Sequence, residues 1–191
     1  VPDWSRGIQP PLGKPGLNIA EGDYLLKVNG IPVTGKKNIY CYFQDLAGKQ
    51  VTLTVAKTAT DSVGREVVVR AARTEGMLRY LDWVEGNRLK VAKISNGKIG
   101  YIHFPDTYLS SAVEFPKYFY SQLTKKGMIV DGRFNQGGLD PDIFLGRLDK
   151  KAHSYWTRRH TAHQKSPGTT MDAHFVCLTN KQAGSGGDEL P

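Results

Sequence analysis

Asn180-Lys181-Gln182-Ala183-Gly184-Ser185-Gly186-Gly187-Asp188-Glu189-Leu190-Pro191 places one serine among three glycines at the end of the chain. The residues before it, Ala173-His174-Phe175-Val176-Cys177-Leu178-Thr179, read as a buried strand. Gly187-Asp188-Glu189 reads as a helix start, with carboxylates in the first turn where the helix dipole favours them. A strand that turns over glycines into a helix is the building unit of an α/β domain. Ser185 therefore lies on a strand-to-helix turn, where small neighbours permit close approach and free amides can face developing negative charge. The same five residues, Ala183 to Gly187, also read as an ordinary glycine-rich turn.

A second turn of the same kind separates those readings. Gly127-Met128-Ile129-Val130-Asp131-Gly132-Arg133-Phe134 is a short strand running into Asn135-Gln136-Gly137-Gly138. Two strands that each end in a glycine turn at one sheet edge suit acyl transfer by serine. One turn carries the hydroxyl, and the other adds a backbone N–H to an oxyanion hole whose donors need an unobstructed path to the tetrahedral oxygen.

With these stretches the chain resembles the tricorn core proteases and the related tail-specific, or C-terminal processing, peptidases. Gly97-Lys98-Ile99-Gly100-Tyr101-Ile102-His103-Phe104-Pro105-Asp106 is similar to the first strand of that family's catalytic domain. Ile129 to Gly138 resembles its oxyanion strand and turn, Ala183 to Asp188 its nucleophile turn, and the separation of 47 in residue number from Gly138 to Ser185 fits its spacing. The resemblance implies Ser185 as nucleophile, the amides of Gly138 and Gly186 as oxyanion donors, peptide substrates, no cofactor, and a homo-oligomeric full-length protein. Gly186 stands where the family usually has an acidic residue, a departure that keeps the backbone amide. The family's catalytic histidine and helper serine lie upstream of its PDZ-like domain and its supporting glutamate lies downstream of the nucleophile, so the chain is expected to be an excerpt that is inactive alone.

The fold class that follows is α/β: a truncated, β-rich PDZ-like domain, then a partial ClpP/crotonase-like serine peptidase domain. Residues 1–73 form the first. Glu21 to Val33, with the Asn29-Gly30 hairpin turn, resembles the centre of a PDZ domain. Ile39, Tyr42, Phe43 and Leu46 recur at helical spacing up to Gly48, and Gln50–Val55 and Glu66–Arg70 alternate as strands around a polar turn at Thr60–Gly64. Residues 74–96 read as a helical connector with Leu78, Leu81, Trp83 and Val84 on one stripe, and residues 97–191 as the catalytic unit. Within it, Ser111-Ala112-Val113-Glu114 has the spacing of a capping box opening a helix that ends before Gly127. Ala152 to Arg159 lies where the family sets primary specificity, with an acidic residue in the best-known members. Trp156 stands there instead, implying an apolar pocket; a packed surface aromatic is the alternative.

The 191 residues, 39% hydrophobic and 23% charged, suit one or two small domains with real cores. The net charge of +8 is spread along the chain, and its densest run, Arg158-Arg159-His160, carries no nucleic-acid motif, so no nucleic-acid partner is expected. No apolar run approaches the roughly 20 residues of a membrane span, so no membrane partner is expected either. Cys41 and Cys177 lack metal-ligand spacing and read as buried free thiols of a reducing, cytoplasmic compartment. His103 and His174 read as structural histidines, and His153, His160 and His163 lack the cysteine or carboxylate pattern of a zinc site, so no metal is assigned. The rival reading is a non-catalytic PDZ-containing peptide-binding protein in which Ser185 is a relic.

Overall fold

Strict alternation in Arg65-Glu66-Val67-Val68-Val69-Arg70 turns Val67 and Val69 inward and their neighbours to solvent, as a half-buried strand requires. In the computed structural model, which describes residues 8–61 and 63–191, the chain divides into two compact units, Val1–Trp83 and Val84–Pro191. The first holds β1 (Tyr24–Val28), β2 (Ile31–Pro32), β3 (Gln50–Ala56) and β4 (Arg65–Arg70), in the order β2-β1-β3-β4 with antiparallel pairing. Asn29 and Gly30 both adopt positive φ, at 49° and 80°, and join β1 to β2 as the hairpin turn demands. Val28, Val51, Leu53, Val55, Val67 and Val69 form the core of the unit.

The helix expected from Ile39 onward is only a 3-10 turn, Ile39–Phe43, begun by Asn38, whose side chain accepts the Tyr40 N–H. Isoleucine and three aromatics give poor helix propensity, and Asp45 at φ 58° ends the run before Gly48. That short turn leaves the Cys41 thiol exposed rather than buried, while Cys177 is half-buried, and both are free. Of the expected turn Thr60–Gly64, Ser62 lies outside the described residues, as do the first seven residues of the PDZ-like reading.

A single helix, α1 (Gly76–Ile94), occupies the expected connector, and the division between the units falls within it, after Trp83. The second unit continues with β5 (Ile99–His103), α2 (Leu109–Tyr120), β6 (Gly127–Asp131) and α3 (Pro141–Leu148). A small hairpin, β7 (Ser154–Trp156) with β8 (Gln164–Ser166), precedes β9 (His174–Leu178) and the one-turn α4 (Gly186–Glu189). Strands β5, β6 and β9 form a parallel sheet with β6 central. Ile102, Phe104, Met128 and Val130 pack with Phe115, Phe119 and Phe144 from the helices; the Phe115 and Phe119 rings stack at 4.6 Å and Phe104 meets Phe144 edge-on at 5.1 Å.

Helix α2 corrects the capping-box reading. It opens at Leu109, and Asp106 serves its start: Oδ1 accepts the Tyr108 and Ser111 N–H groups at 3.0 and 2.9 Å, and Oδ2 accepts Ser110 N–H at 3.2 Å. Ser111 instead donates its hydroxyl to the Asp106 carbonyl, and Glu114 pairs with Lys117. A carboxylate satisfies three orphan amides at once where a serine satisfies one, so the helix starts where Asp106 can reach it. The helix ends at Tyr120, well short of Gly127, with Ser121 as its C-terminal cap.

Candidate active site

Parallel strands all point their carboxyl ends the same way, so the segments that follow β5, β6 and β9 emerge at one edge of the sheet, where open α/β sheets place their ligands. These segments are Pro105–Thr107, Asn135–Gly138 and Gly184–Gly187. They are tied together by Asn135, which is fully buried: its amide nitrogen donates to the Phe104 carbonyl at 3.0 Å, its Oδ1 accepts the Gly137 N–H at 2.7 Å, and its own carbonyl accepts the Gly184 N–H at 3.3 Å. Asn180 ties the same turns from outside, accepting Phe134 N–H at 3.0 Å and Ala183 N–H at 3.2 Å.

Ser185 sits on the surface at the N-terminal cap of α4 with φ 55° and ψ −129°, a conformation that L-residues rarely adopt. Held strain of this kind costs on the order of 1–3 kcal/mol and persists where its surroundings over-determine it. The structure brings Gly137 and Gly138 directly against Ser185 and Gly186. A Cβ on Gly186 would stand 2.5 Å from the Gly138 carbonyl oxygen and 3.3 Å from the Gly138 nitrogen. Gly138 itself has φ 150°, and a Cβ there would lie 2.6 Å from the Thr107 carbonyl carbon.

Each of the two amides is aimed by the carbonyl across its own peptide. In a trans peptide C=O and N–H point in opposite directions. The Ser185 carbonyl accepts the Asp188 N–H at 2.8 Å, which fixes the plane carrying the Gly186 N–H; the Gly137 carbonyl accepts the Thr107 N–H at 2.9 Å, which fixes the plane carrying the Gly138 N–H. Among the described residues neither the Gly138 nor the Gly186 N–H has a hydrogen-bond acceptor. Two preoriented free donors beside an exposed hydroxyl can receive a negatively charged oxygen.

Residues 2–74 match the family model described as Tricorn protease PDZ domain. The chain is 37% identical to the putative Tricorn-like protease C-terminal subunit of Sulfurisphaera tokodaii, over 93% of this chain and 20% of that protein. It is 32% identical to the Tricorn protease of Thermoplasma volcanium, over 87% of this chain and 16% of that protein. The crystal structure of the tricorn protease superposes with a TM-score of 0.77 at 30% identity, covering 88% of this chain and 16% of that one. The chain belongs to the tricorn protease family. It spans about a fifth or less of the length of these relatives.

Within the chain the histidines fall into separate settings. His103, at the end of β5, is buried with Nε2 2.9 Å from the Arg133 carbonyl oxygen, and burial pushes its pKa down despite that bond and the nearby Asp131. His174 corrects the structural reading, because it opens the edge strand β9 with its ring exposed. His153, His160 and His163 are exposed around the β7–β8 hairpin, and among the described residues no group of three or more His, Cys, Asp or Glu side chains is placed to hold a metal. Trp156 ends β7, 43% exposed, with the Arg158 guanidinium 5.0 Å from the ring centroid.

Sequence reasoning missed Thr107, Asn135 and Asn180, the residues that hold the turns. Asn135 and Asn180 carried a signal, since asparagine beside glycine turns often bonds to backbone two or three residues on. Thr107 had none.

Proposed function

We propose that this chain is the part of a tricorn-like serine peptidase that carries the nucleophile and the oxyanion hole, in a ClpP/crotonase-like domain. Ser185 Oγ attacks the scissile carbonyl carbon while its proton passes to a base. The carbonyl oxygen, now negative, is received by the Gly138 and Gly186 N–H groups. Collapse breaks the C–N bond, the amine leaves with the proton, and water then hydrolyses the acyl-enzyme by the same steps.

The observation that carries this reading is the exposed, strained Ser185 between two amides that are free and already oriented by Thr107 and Asp188. The base comes from outside these 191 residues: His103 is turned onto the Arg133 carbonyl, and His153, His160, His163 and His174 are exposed and lie outside the three turns. Peptides are the substrates, the complete protein works as a homo-oligomer without a cofactor, and the free thiols of Cys41 and Cys177 fit a reducing, cytoplasmic setting. A fluorophosphonate probe tests the assignment. It should label the complete protein at Ser185 and not the Ser185→Ala variant, and it should leave the 191-residue chain unlabelled because an unassisted serine hydroxyl is a weak nucleophile. Labelling of the complete protein elsewhere than Ser185 would remove the nucleophile.

A further inference from the structure

Thr107 is wholly enclosed, and among the described residues its hydroxyl is the buried side-chain polar atom without a hydrogen-bond partner. Such an orphan is costly, and native interiors seldom keep one without a use. Its position is specific. The hydroxyl faces Gly186 so closely that a Cβ there would collide with it, and the Gly138 carbonyl oxygen faces the same point from the other turn. The Thr107 backbone already grips the second turn on both sides of Gly138, its N–H donating to the Gly137 carbonyl at 2.9 Å and its carbonyl accepting the Asp140 N–H at 3.2 Å. The neighbouring Asp106 carboxylate is anchored to the amides of Tyr108, Ser110 and Ser111 at the start of α2.

We propose that Thr107 is a positioning residue for acyl transfer at Ser185, its hydroxyl donating to the Gly138 carbonyl when the charged oxygen forms between the two glycine turns. The proposal rests on the serine peptidase reading above. At rest the hydroxyl is unpaired; as negative charge develops at the Gly138 and Gly186 amides, the hydroxyl, free to rotate, turns onto the Gly138 carbonyl oxygen that faces the same point. The bond exists only in the charged state, so it lowers the barrier without tightening substrate binding. It also accounts for an enclosed hydroxyl that stabilises nothing in the resting fold.

The test uses the complete protein with Thr107→Val, which keeps the shape and removes the hydroxyl, and Thr107→Ser, which keeps the hydroxyl. The Val variant should lose about five- to tenfold in kcat with KM within about twofold, as expected for one neutral hydrogen bond made only in the transition state. A peptide boronate should lose affinity in parallel while a product peptide does not. The Ser variant should keep near-native kcat, and the Val variant should melt no lower than the parent because an orphan polar group has gone. An unchanged kcat in Thr107→Val overturns the proposal, as does a kcat loss shared equally by the Ser variant, which would mark packing. Retention of activity by Ser185→Ala is a different failure: it removes the serine reading itself.

Discussion

Gly137 and Ser185 are packed so closely that a Cβ on Gly137 would stand 2.7 Å from the Ser185 Cβ and 2.9 Å from the Gly184 carbonyl oxygen. The two glycine turns are therefore one object, and neither can be widened without moving the serine. Gly137 also holds φ 78°, where an L side chain is strained whatever the space. Gly137→Ala combines both penalties and should destabilise the second unit by roughly 2–4 kcal/mol. In the complete protein it should also abolish labelling of Ser185. Urea unfolding of the chain checks the first expectation, and native stability in that variant would mean that the turns have slack.

Ser185 itself stores strain, and its relief is measurable. Ser185→Gly removes the cost of φ 55° while adding some unfolded-state entropy, and with roughly 1–3 kcal/mol of strain against up to about 1 kcal/mol of entropy the balance favours a higher Tm. Ser185→Ala keeps the strained backbone and should melt with the parent. Equal Tm values for the Gly and Ala variants would show that the conformation costs nothing.

The glycine turns were legible in the sequence because their glycines are required by backbone geometry, which leaves a mark in residue type: Gly138 at φ 150° and Ser185 on the turn into α4 stand as read. The strands β5, β6 and β9 were legible from their apolar runs, but β9, read as buried, lies at the sheet edge with none of its residues fully buried and Val176 56% exposed, because it has a neighbour on one side only. Thr107 was not, because its role depends on three strand ends meeting, and nothing local to Asp106-Thr107-Tyr108 distinguishes it from any helix entry. Asp106 shows the converse. The local Ser111–Glu114 pattern was a valid capping signal, yet a carboxylate five residues upstream of Ser111 took the Ser111 amide together with those of Tyr108 and Ser110, and won.

The edge of the parallel sheet makes a third expectation. Strand β5 has β6 on one side only, and on its open side the Tyr101 N–H and carbonyl are met by the side-chain amide of buried Gln122, at 3.1 and 3.0 Å. That amide stands in for a neighbouring strand and blocks the edge. Gln122→Leu keeps the bulk and strands both backbone groups, so it should cost roughly 2–4 kcal/mol. A loss under about 0.5 kcal/mol, in the range of ordinary surface substitutions, would mean that water replaces the amide.

Acid should unfold the second unit in two stages. His103 has its pKa depressed, burial being the largest cause, so the folded state prefers it neutral; the associated stability is full above the ordinary histidine pKa of about 6.5 and drains as pH falls below it. Burial works against ionisation of Asp131 as well, but hydrogen bonds from Arg133 and from the Tyr101 hydroxyl at 2.6 Å outweigh it and hold the carboxyl below its usual range. Its contribution is therefore full above about pH 4 and is lost as pH falls through the lower folded value. Tm measured against pH should drop through both windows, and Asp131→Asn should flatten the lower one. A Tm that rises on acidification below pH 6 would reverse the sign of both assignments.

Trp156 gives the last expectation, for the complete protein. Its ring is 43% exposed and carries the Arg158 guanidinium over one face at 5.0 Å, so the hairpin that would line a specificity pocket offers an aromatic surface and a positive charge. A substrate lysine or arginine there would lose its hydration without a partner carboxylate, at a cost of several kcal/mol, and would meet Arg158 as a like charge. Of two acids that could bring a counter-charge to the hairpin, Asp149 is exposed and paired with Lys151 at 3.4 Å, while Asp172 has no ion pair among the described residues. Cleavage should therefore favour apolar or aromatic residues on the acyl side of the scissile bond, and Trp156→Ala should erode that preference. In a fluorogenic peptide panel, a clear preference for arginine or lysine that survives Trp156→Ala would take Trp156 out of the pocket. If that preference vanished in Asp172→Asn, the counter-charge would be placed at Asp172 instead.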